Sequence, residues 1–565
     1  MKVVIIGGVA GGATAAARLR RLDENAEIVL LERSSYISYA NCGLPYYVGG
    51  VIQDREALTL QTPERFRARF NIDVRVRHEA VALHPERRTV TVRRLEDGGE
   101  YEESYDKLLL SPGAKAVRPP LPGAEDPRVF TLRTVEDTLA LREYIDARHP
   151  RRAVVVGGGF IGLETAENLV HAGAAVTLIQ LDGQVMPPLD YDMAAQLHGY
   201  LRQQGVDLRL RESVTALTPH SAGLTAHLQS GGTVEADLVL LAIGVTPETH
   251  LAREAGLALG MKDAILVNDR MQTSDPHIYA VGDAVQVRQF VSGRDALIAL
   301  AGPANKQARI AADNICGRDS IFRGTQGASV LKLFDMTVAS TGLSEKAARA
   351  AGIPCDAVIT FSASHAAYYP GATDMTIKTL FDPQTGRILG AQIVGFEGVD
   401  KRIDDLSIAI RARMTAADLA ELELAYAPPY SSAKDPVNMA GFVIENLRAG
   451  LVQQVQWHEY EQLPRDGSVT FLDVRTDEEW AQAPMPAGTV HIPLDALRGR
   501  LAELDSGKKI YVNCYSGLRS YLACRILMQH GFRCKNLAGG FRFYQQIQCD
   551  RGFDATPRHP CGATI

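Results

Sequence analysis

The sequence predicts an α/β chain of several domains, and three observations point there. Two distant stretches repeat one pattern of apolar strand, glycine turn, helix and second apolar strand. At 565 residues the chain is too long for one core, which suggests three or four domains. After about residue 445 the pattern changes and a new series of short strands and loops begins.

The repeated segments are KVVIIGGVAGGATAAARLRRL with AEIVLLER (2–33) and RAVVVGGGFIGLETAENLVHAG with AVTLIQ (152–180). Each reads as a βαβ dinucleotide unit, so two Rossmann-like domains are expected. The glycines permit a tight turn and close approach to a pyrophosphate, which then rests on the helix N-terminus. The second copy carries the full Gly157-x-Gly159-x-x-Gly162. The first keeps Gly7 and Gly12 but has Val9 in the middle glycine's place. Glu32 ends the second strand 25 residues after Gly7, where a carboxylate can bind an adenosine ribose. Its counterpart in the second unit, Gln180, is neutral and has no arginine beside it to select a 2′-phosphate. NADH and NADPH therefore both stay open.

Three further apolar strands end in glycine turns. YDKLLLSPGA (105–114) and DLVLLAIGVTPET (237–249) lie where the chain could cross between nucleotide domains. HIYAVGDA (277–284) ends in Gly282-Asp283, and Asp283 could hold the ribityl chain of a flavin. Alone, a Gly-Asp pair would be only a turn.

Composition bounds the rest. Hydrophobic residues at 46% and charged residues at 22% are ordinary for a soluble globular protein. A net charge of -6 gives no hint of a nucleic-acid or membrane partner, and no run of 18 apolar residues offers a membrane span. The N-terminal glycine spacing and the early Arg18, Arg20 and Arg21 argue for a buried strand and helix rather than a signal peptide. Eight cysteines without paired spacing suit a reducing cytoplasm. No C-x-x-C or Cys/His cluster occurs, so no metal is expected.

Together these segments resemble the two-dinucleotide flavoprotein disulfide reductases over residues 1 to about 445. The resemblance implies FAD on the first unit, a nicotinamide nucleotide on the second, and an α+β dimerisation domain that makes a homodimer. The implied domains are FAD-binding 1–117 with 245–322, NAD(P)H-binding 118–244 and dimerisation 323–445, before a linker at 446–460. Implied FAD contacts are Gly7, Gly12, Glu32, Arg33, Ser111, Gly113, Arg133, Gly282 and Asp283. Those for NAD(P)H are Gly157, Gly159, Phe160, Ile161, Gly162, Glu164, Gln180 and Gly244.

SYANCGLPYY (38–47) follows the first βαβ unit, at a turn that in this family lies beside the flavin ring. Glutathione-reductase-like members carry Cys-x4-Cys there, whereas Tyr47 stands at the second position here, so Cys42 acts alone. The stretch resembles the single-cysteine motif of the coenzyme A disulfide reductase branch, with Tyr39 replacing the usual Phe. The nucleophile is the thiolate, which needs a helix N-terminus or positive surroundings. SASHAAYYPGA (362–372) and ELAYAPPYSSAKD (423–435) resemble two further signatures of that branch. They imply that Tyr368 and Tyr426 reach the other subunit's site and donate to a leaving thiolate. Implied contacts to coenzyme A, as substrate or tightly bound ligand, are Thr14, Arg18, Arg21, Ser38, Asn41, Asn305 and Lys434.

Beyond residue 460, VTFLDVRTDEEW (469–480), AGTVHIPLDAL (487–497), KKIYVNCYSGLRS (508–520) and KNLAGGFRFYQ (535–545) resemble, in order, one α/β rhodanese domain spanning 461–565. Its loop is Cys514, Tyr515, Ser516, Gly517, Leu518, Arg519 and Ser520, opening onto a helix. Backbone N–H groups curling around the Cys514 sulfur would stabilise a thiolate and its persulfide. Arg519 could bind an anionic donor or simply tie the loop. Cys524 and Cys534 read as core residues, and the tail with Cys549 and Cys561 carries no assigned role.

The resemblance implies a cytoplasmic FAD- and NAD(P)H-dependent reductase of coenzyme A disulfide or persulfide, coupled to sulfane sulfur transfer on Cys514. Two readings compete with it. One makes Cys42 a sulfenic acid in an NADH oxidase or peroxidase; the other makes the C-terminal domain a docking or redox-sensing module.

Overall fold

The computed structural model describes residues 1–563. The chain divides into two compact units, Met1–Leu181 with Val206–Gly327, and Asp182–Gly205 with Ala328–Ile565.

The first unit holds two five-stranded parallel sheets of the same plan. One runs Ile278–Ala280, Lys107–Leu110, Lys2–Ile6, Glu27–Glu32, Asp73–Val76. The other runs Asp207–Leu210, Ala175–Gln180, Arg152–Val156, Leu238–Leu241, Val129–Phe130. Their strands are near-continuous Val, Ile and Leu because both faces are covered; Val3, Val4 and Ile5 are wholly buried. In each sheet the glycine turn leaves the first strand where the strand order reverses, the place at which such sheets bind nucleotides. Two short strands, Ala114–Ala116 and Val245–Pro247, pair antiparallel. The two crossings expected at the 113 and 244 turns therefore run side by side.

In the second unit, five antiparallel strands form one sheet: Ser329–Leu333, Met336–Gly342, Ile388–Gly395, Asp374–Phe381 and Asp356–Ala363. The helices Val399–Ala412 and Pro436–Arg448 pack on it. A five-stranded parallel sheet follows: Gln454–Val455, Cys534–Leu537, Lys509–Asn513, Val469–Asp473, Thr489–His491. The stretch expected as a linker, 446–460, thus supplies an edge strand and the buried Trp457. Its polar spelling hid this, because an edge strand of two residues has no periodicity to read.

The tail is also built in. Asp550 accepts hydrogen bonds from Tyr191 and Arg202 and pairs with His198. Arg558, almost fully buried, donates to Gly183 O and lies over the Tyr191 ring. Cys561 is buried too. Among the described residues no helix is long and apolar enough to cross a membrane.

Candidate active site

Both glycine turns have one geometry. Gly7 and Gly157 adopt φ +97° and +108°, where a side chain would be strained. A Cβ on Gly12 would lie 1.7 Å from Gly7 O, and one on Gly162 would lie 1.9 Å from Gly157 O. These outer glycines let helix and strand touch. A Cβ on Gly159 would meet nothing within 4 Å, so this position of the turn is open space, and Val9 stands at it in the first copy. Glu32 accepts the Gly8 N–H at 2.8 Å, and Gln180 accepts the Gly158 N–H at 2.7 Å. The two strand ends, different in charge, brace their turns alike. Burial pushes Glu32 up in pKa, while the N–H groups of Ser34 and Gly8 pull it down. Phe160 and Ile161 open the helix Phe160–His171, and Gly244 sits at φ +116° beside the second crossing.

Cys42 lies in the short 3₁₀ turn Asn41–Gly43, just before the helix Leu44–Val48. Its loop is tied to the first glycine turn by Ser38 N–H to Gly8 O at 2.8 Å, with Ser38 itself at φ +46°. Ala40 N–H donates to Leu58 O at 2.7 Å. With its amide oriented to satisfy both groups, Asn41 donates to Arg133 O at 2.9 Å and accepts from Arg133 Nη1 at 3.0 Å. Arg133 reaches further, to Asp283 Oδ2 at 2.7 Å and Ala114 O at 3.1 Å. One guanidinium thus joins the cysteine loop, the crossing strand and the Gly282 turn. Gly282 is held in turn, its N–H donating to Gln307 at 2.8 Å. Ser111 N–H bonds Ile6 O, and Gly113 O accepts the Glu248 N–H. Arg33 faces Glu248 at 3.8 Å.

Cys42 is exposed, yet the walls around it withhold enough water to push its thiol up in pKa; Glu164 adds to this and Arg133 opposes it. Burial, then Glu167, pushes Glu164 up to about 7. Burial likewise holds the Tyr39 phenol at about 12. Sequence reasoning missed Glu164 as a neighbour of Cys42, since 122 residues separate them and only the packing of Leu44–Val48 on Phe160–His171 joins them.

The residues expected to bind coenzyme A fall into three groups. Thr14 bonds Asn305, and Arg18 pairs with Asp313 at 2.7 Å, so these four pin the helices Ala10–Leu22 and Ala301–Ile315 together. Arg21 is exposed. Ser38 and Asn41 belong to the cysteine loop. Lys434 is exposed in the second unit, beside the buried Asp435 that caps Pro436–Arg448. In that unit the hydroxyls of Tyr368 and Tyr426 hydrogen-bond at 3.0 Å, although 58 residues apart. The segments that carry them are joined by Ala366 N–H to Ser431 O at 3.0 Å. Tyr368 is 76% exposed, and the bond to Tyr426 raises its pKa.

Cys514 follows the strand Lys509–Asn513 and is wholly buried. Gly517 N–H donates to its sulfur at 3.1 Å and Ser520 Oγ at 3.3 Å. Two donors at a helix start favour negative charge on that sulfur. Gly517, at φ +100°, caps the helix Leu518–Gln529. Tyr515 and Leu518 are exposed, and Ser516 is half-buried. Below the loop, Gly540 leaves no space for a side chain: a Cβ there would sit 2.6 Å from Cys514 O. Arg519 Nη2 bonds Glu479 at 2.7 Å. Asp473 and Arg475 form a buried ion pair at 2.7 Å. Cys524 and Cys534 sit in the core as expected, with Cys534 Sγ 3.6 Å from Cys524 O.

The chain belongs to the pyridine nucleotide-disulphide oxidoreductases, whose family model matches residues 1–308. Their dimerisation domain matches 329–436, and a rhodanese-like domain matches 456–546. The sequence is 37% identical over 447 residues to the coenzyme A disulfide reductase of Staphylococcus haemolyticus, covering 79% of this chain and all of that one. Its fold is similar to reduced Bacillus anthracis CoADR-RHD, with TM-score 0.95, 50% identity and coverage of 97% of this chain and 98% of that one. It is also similar to an NAD-dependent persulfide reductase from A. fulgidus, with TM-score 0.90, 39% identity and coverage of 96% and 100%.

FAD is the cofactor of this family. The residues fit it: a tight glycine turn at Gly7 opening the helix Ala10–Leu22, a carboxylate at Glu32, and the Arg133–Asp283 pair beside the cysteine loop.

Proposed function

We propose that the chain reduces coenzyme A disulfide and coenzyme A persulfide with electrons from NAD(P)H, through FAD and the single thiol of Cys42. Its C-terminal domain handles sulfane sulfur on Cys514. Cys42 carries the reading: it has Tyr47 where a second cysteine would stand, in a loop bonded to the glycine turn and, through Asn41, to Arg133. A lone thiol cannot close a local disulfide, so the second sulfur comes with the substrate.

The Cys42 thiolate attacks one sulfur of the CoA disulfide, forming Cys42–S–S–CoA and expelling CoA thiolate. With the persulfide it takes the outer sulfur, again expelling CoA thiolate; two-electron reduction with proton uptake then frees Cys42, releasing the second CoA thiol in the first case and sulfide in the second. FAD, when bound, supplies the electron pair drawn from NAD(P)H. The Tyr368–Tyr426 hydroxyl pair, contributed across the homodimer, gives the leaving thiolate its proton. Cys514 accepts sulfane sulfur from small-molecule donors and passes it on. Eight free thiols support a reducing cytoplasm as the setting.

The test follows NAD(P)H oxidation with CoA disulfide, CoA persulfide and oxygen side by side. Rapid turnover of the two CoA substrates, lost in Cys42→Ser, is expected. Faster consumption of oxygen by a wide margin would refute the CoA reading.

A further inference from the structure

Arg519 could bind an anionic donor or tie the Cys514 loop. Its guanidinium faces the Cys514 sulfur and also donates to Glu479 Oε1 at 2.7 Å, so the carboxylate neutralises a cation placed beside the reacting atom. The other oxygen of Glu479 is fixed as well: Oε2 accepts the Thr476 N–H at 2.9 Å, while Thr476 Oγ1 accepts the Glu479 N–H at 3.3 Å. This capping box at the start of the helix Asp477–Gln482 anchors the carboxylate independently of Arg519. The Arg519 hydrogen bond, with that of the Thr476 N–H, holds Glu479 below the usual carboxylate range. Arg542, whose N–H donates to Tyr515 O at 2.9 Å, is paired with Asp374. Arg475, on the flanking strand end, is paired with Asp473. Each of these guanidiniums is already matched by a carboxylate.

We propose that Glu479 determines the donor class of the Cys514 site, occupying Arg519 so that the loop favours organic persulfides over thiosulfate. This rests on the reading above, in which Cys514 transfers sulfur. The two donors make different demands. In thiosulfate the Cys514 thiolate attacks the outer sulfur, one S–S bond forms, the other breaks, and sulfite leaves with the electron pair as a dianion. Its three sulfonate oxygens need a cation to face. In an organic persulfide the same attack gives Cys514–S–SH and expels R–S⁻, which takes a proton from water. Its reacting end carries no sulfonate, and the donors needed for a negative sulfur are already there in Gly517 N–H and Ser520 Oγ, beside a guanidinium whose charge Glu479 neutralises. The phosphates of a coenzyme A persulfide lie at the far end of the pantetheine arm and make no such demand.

The test uses the full-length holoenzyme with Glu479→Gln, which keeps the capping box because Gln serves at that position. Formation of the Cys514 persulfide is timed by quenched-flow mass spectrometry, with thiosulfate and with N-acetylcysteine persulfide as donors. E479Q should raise the thiosulfate rate about tenfold by releasing Arg519, and leave the persulfide rate within about twofold. The persulfide arm also reports that the domain is folded. An unchanged ratio of the two rates, or both rates moving together, overturns the role of Glu479. If the wild-type protein forms no Cys514 persulfide from either donor, the transfer reading itself falls, and this proposal with it.

Discussion

Replacing Lys378 by Met removes a fully buried ammonium from among three carboxylates. Its Nζ lies 2.9 and 3.0 Å from the Asp192 oxygens, 3.1 Å from Asp190 and 3.1 Å from Glu345. Two of those carboxylates keep other partners. Asp190 retains the Gln392 amide at 2.6 Å and the Glu345 N–H at 3.0 Å, and Glu345 retains Arg349 at 3.0 Å. Asp192 does not fare as well. Burial already pushes its carboxyl up to about 7 with Lys378 in place, so without the cation it takes a proton. Breaking a buried ion pair from one side costs about 3–5 kcal/mol, and protonation of Asp192 puts K378M at about 3 kcal/mol. Adding Asp192→Asn removes the orphaned acid and should recover about 1–2 kcal/mol. Urea unfolding read by tryptophan fluorescence suits the measurement, because both tryptophans, Trp457 and Trp480, lie in the second unit. A loss below about 1 kcal/mol for K378M, or a D192N effect that simply adds, would refute the reasoning.

Glu164 is charged only above about pH 7, where it opposes the Cys42 thiolate. Glu164→Gln should therefore let iodoacetamide alkylate Cys42 at lower pH, with the gap from wild type opening above about pH 7; superimposed profiles would exclude that coupling. Asp550, although buried, is held at about 2 by hydrogen bonds from His198, then Arg202 and Tyr191. A depressed carboxyl stabilises above its unfolded value and loses that contribution as pH falls through its folded one. Asp550→Asn should then cost about 2 kcal/mol near neutrality, a difference that fades between about pH 4 and pH 2 in urea midpoints. A pH-independent difference would count against it.

Much of the site was legible along the chain. The two glycine turns, Glu32, the solitary Cys42 and the Cys514 loop are each local patterns, complete within about 30 residues. Gln180 shows the limit of such reading: its neutrality is a chemical difference from Glu32, while its brace to Gly158 is the same. The tail was illegible, because CDRGFDATPRHPCGATI has no periodicity. Its anchors, Tyr191 to Asp550 and Gly183 to Arg558, span 359 and 375 residues.

The sequence by itself determined the βαβ units, because sterics and hydrogen bonding within a strand, turn and helix leave glycine few substitutes at Gly7, Gly12, Gly157 and Gly162. It also determined that no second thiol stands five residues beyond Cys42, since Tyr47 occupies that place. Tertiary structure alone decided which charges meet: Arg133 with Asp283, Arg519 with Glu479, and Lys378 with its three acids. The pairing of a charge depends on which elements pack together, and spacing along the chain carries no record of it. Arg519 and Glu479, for example, lie 40 residues apart along the chain.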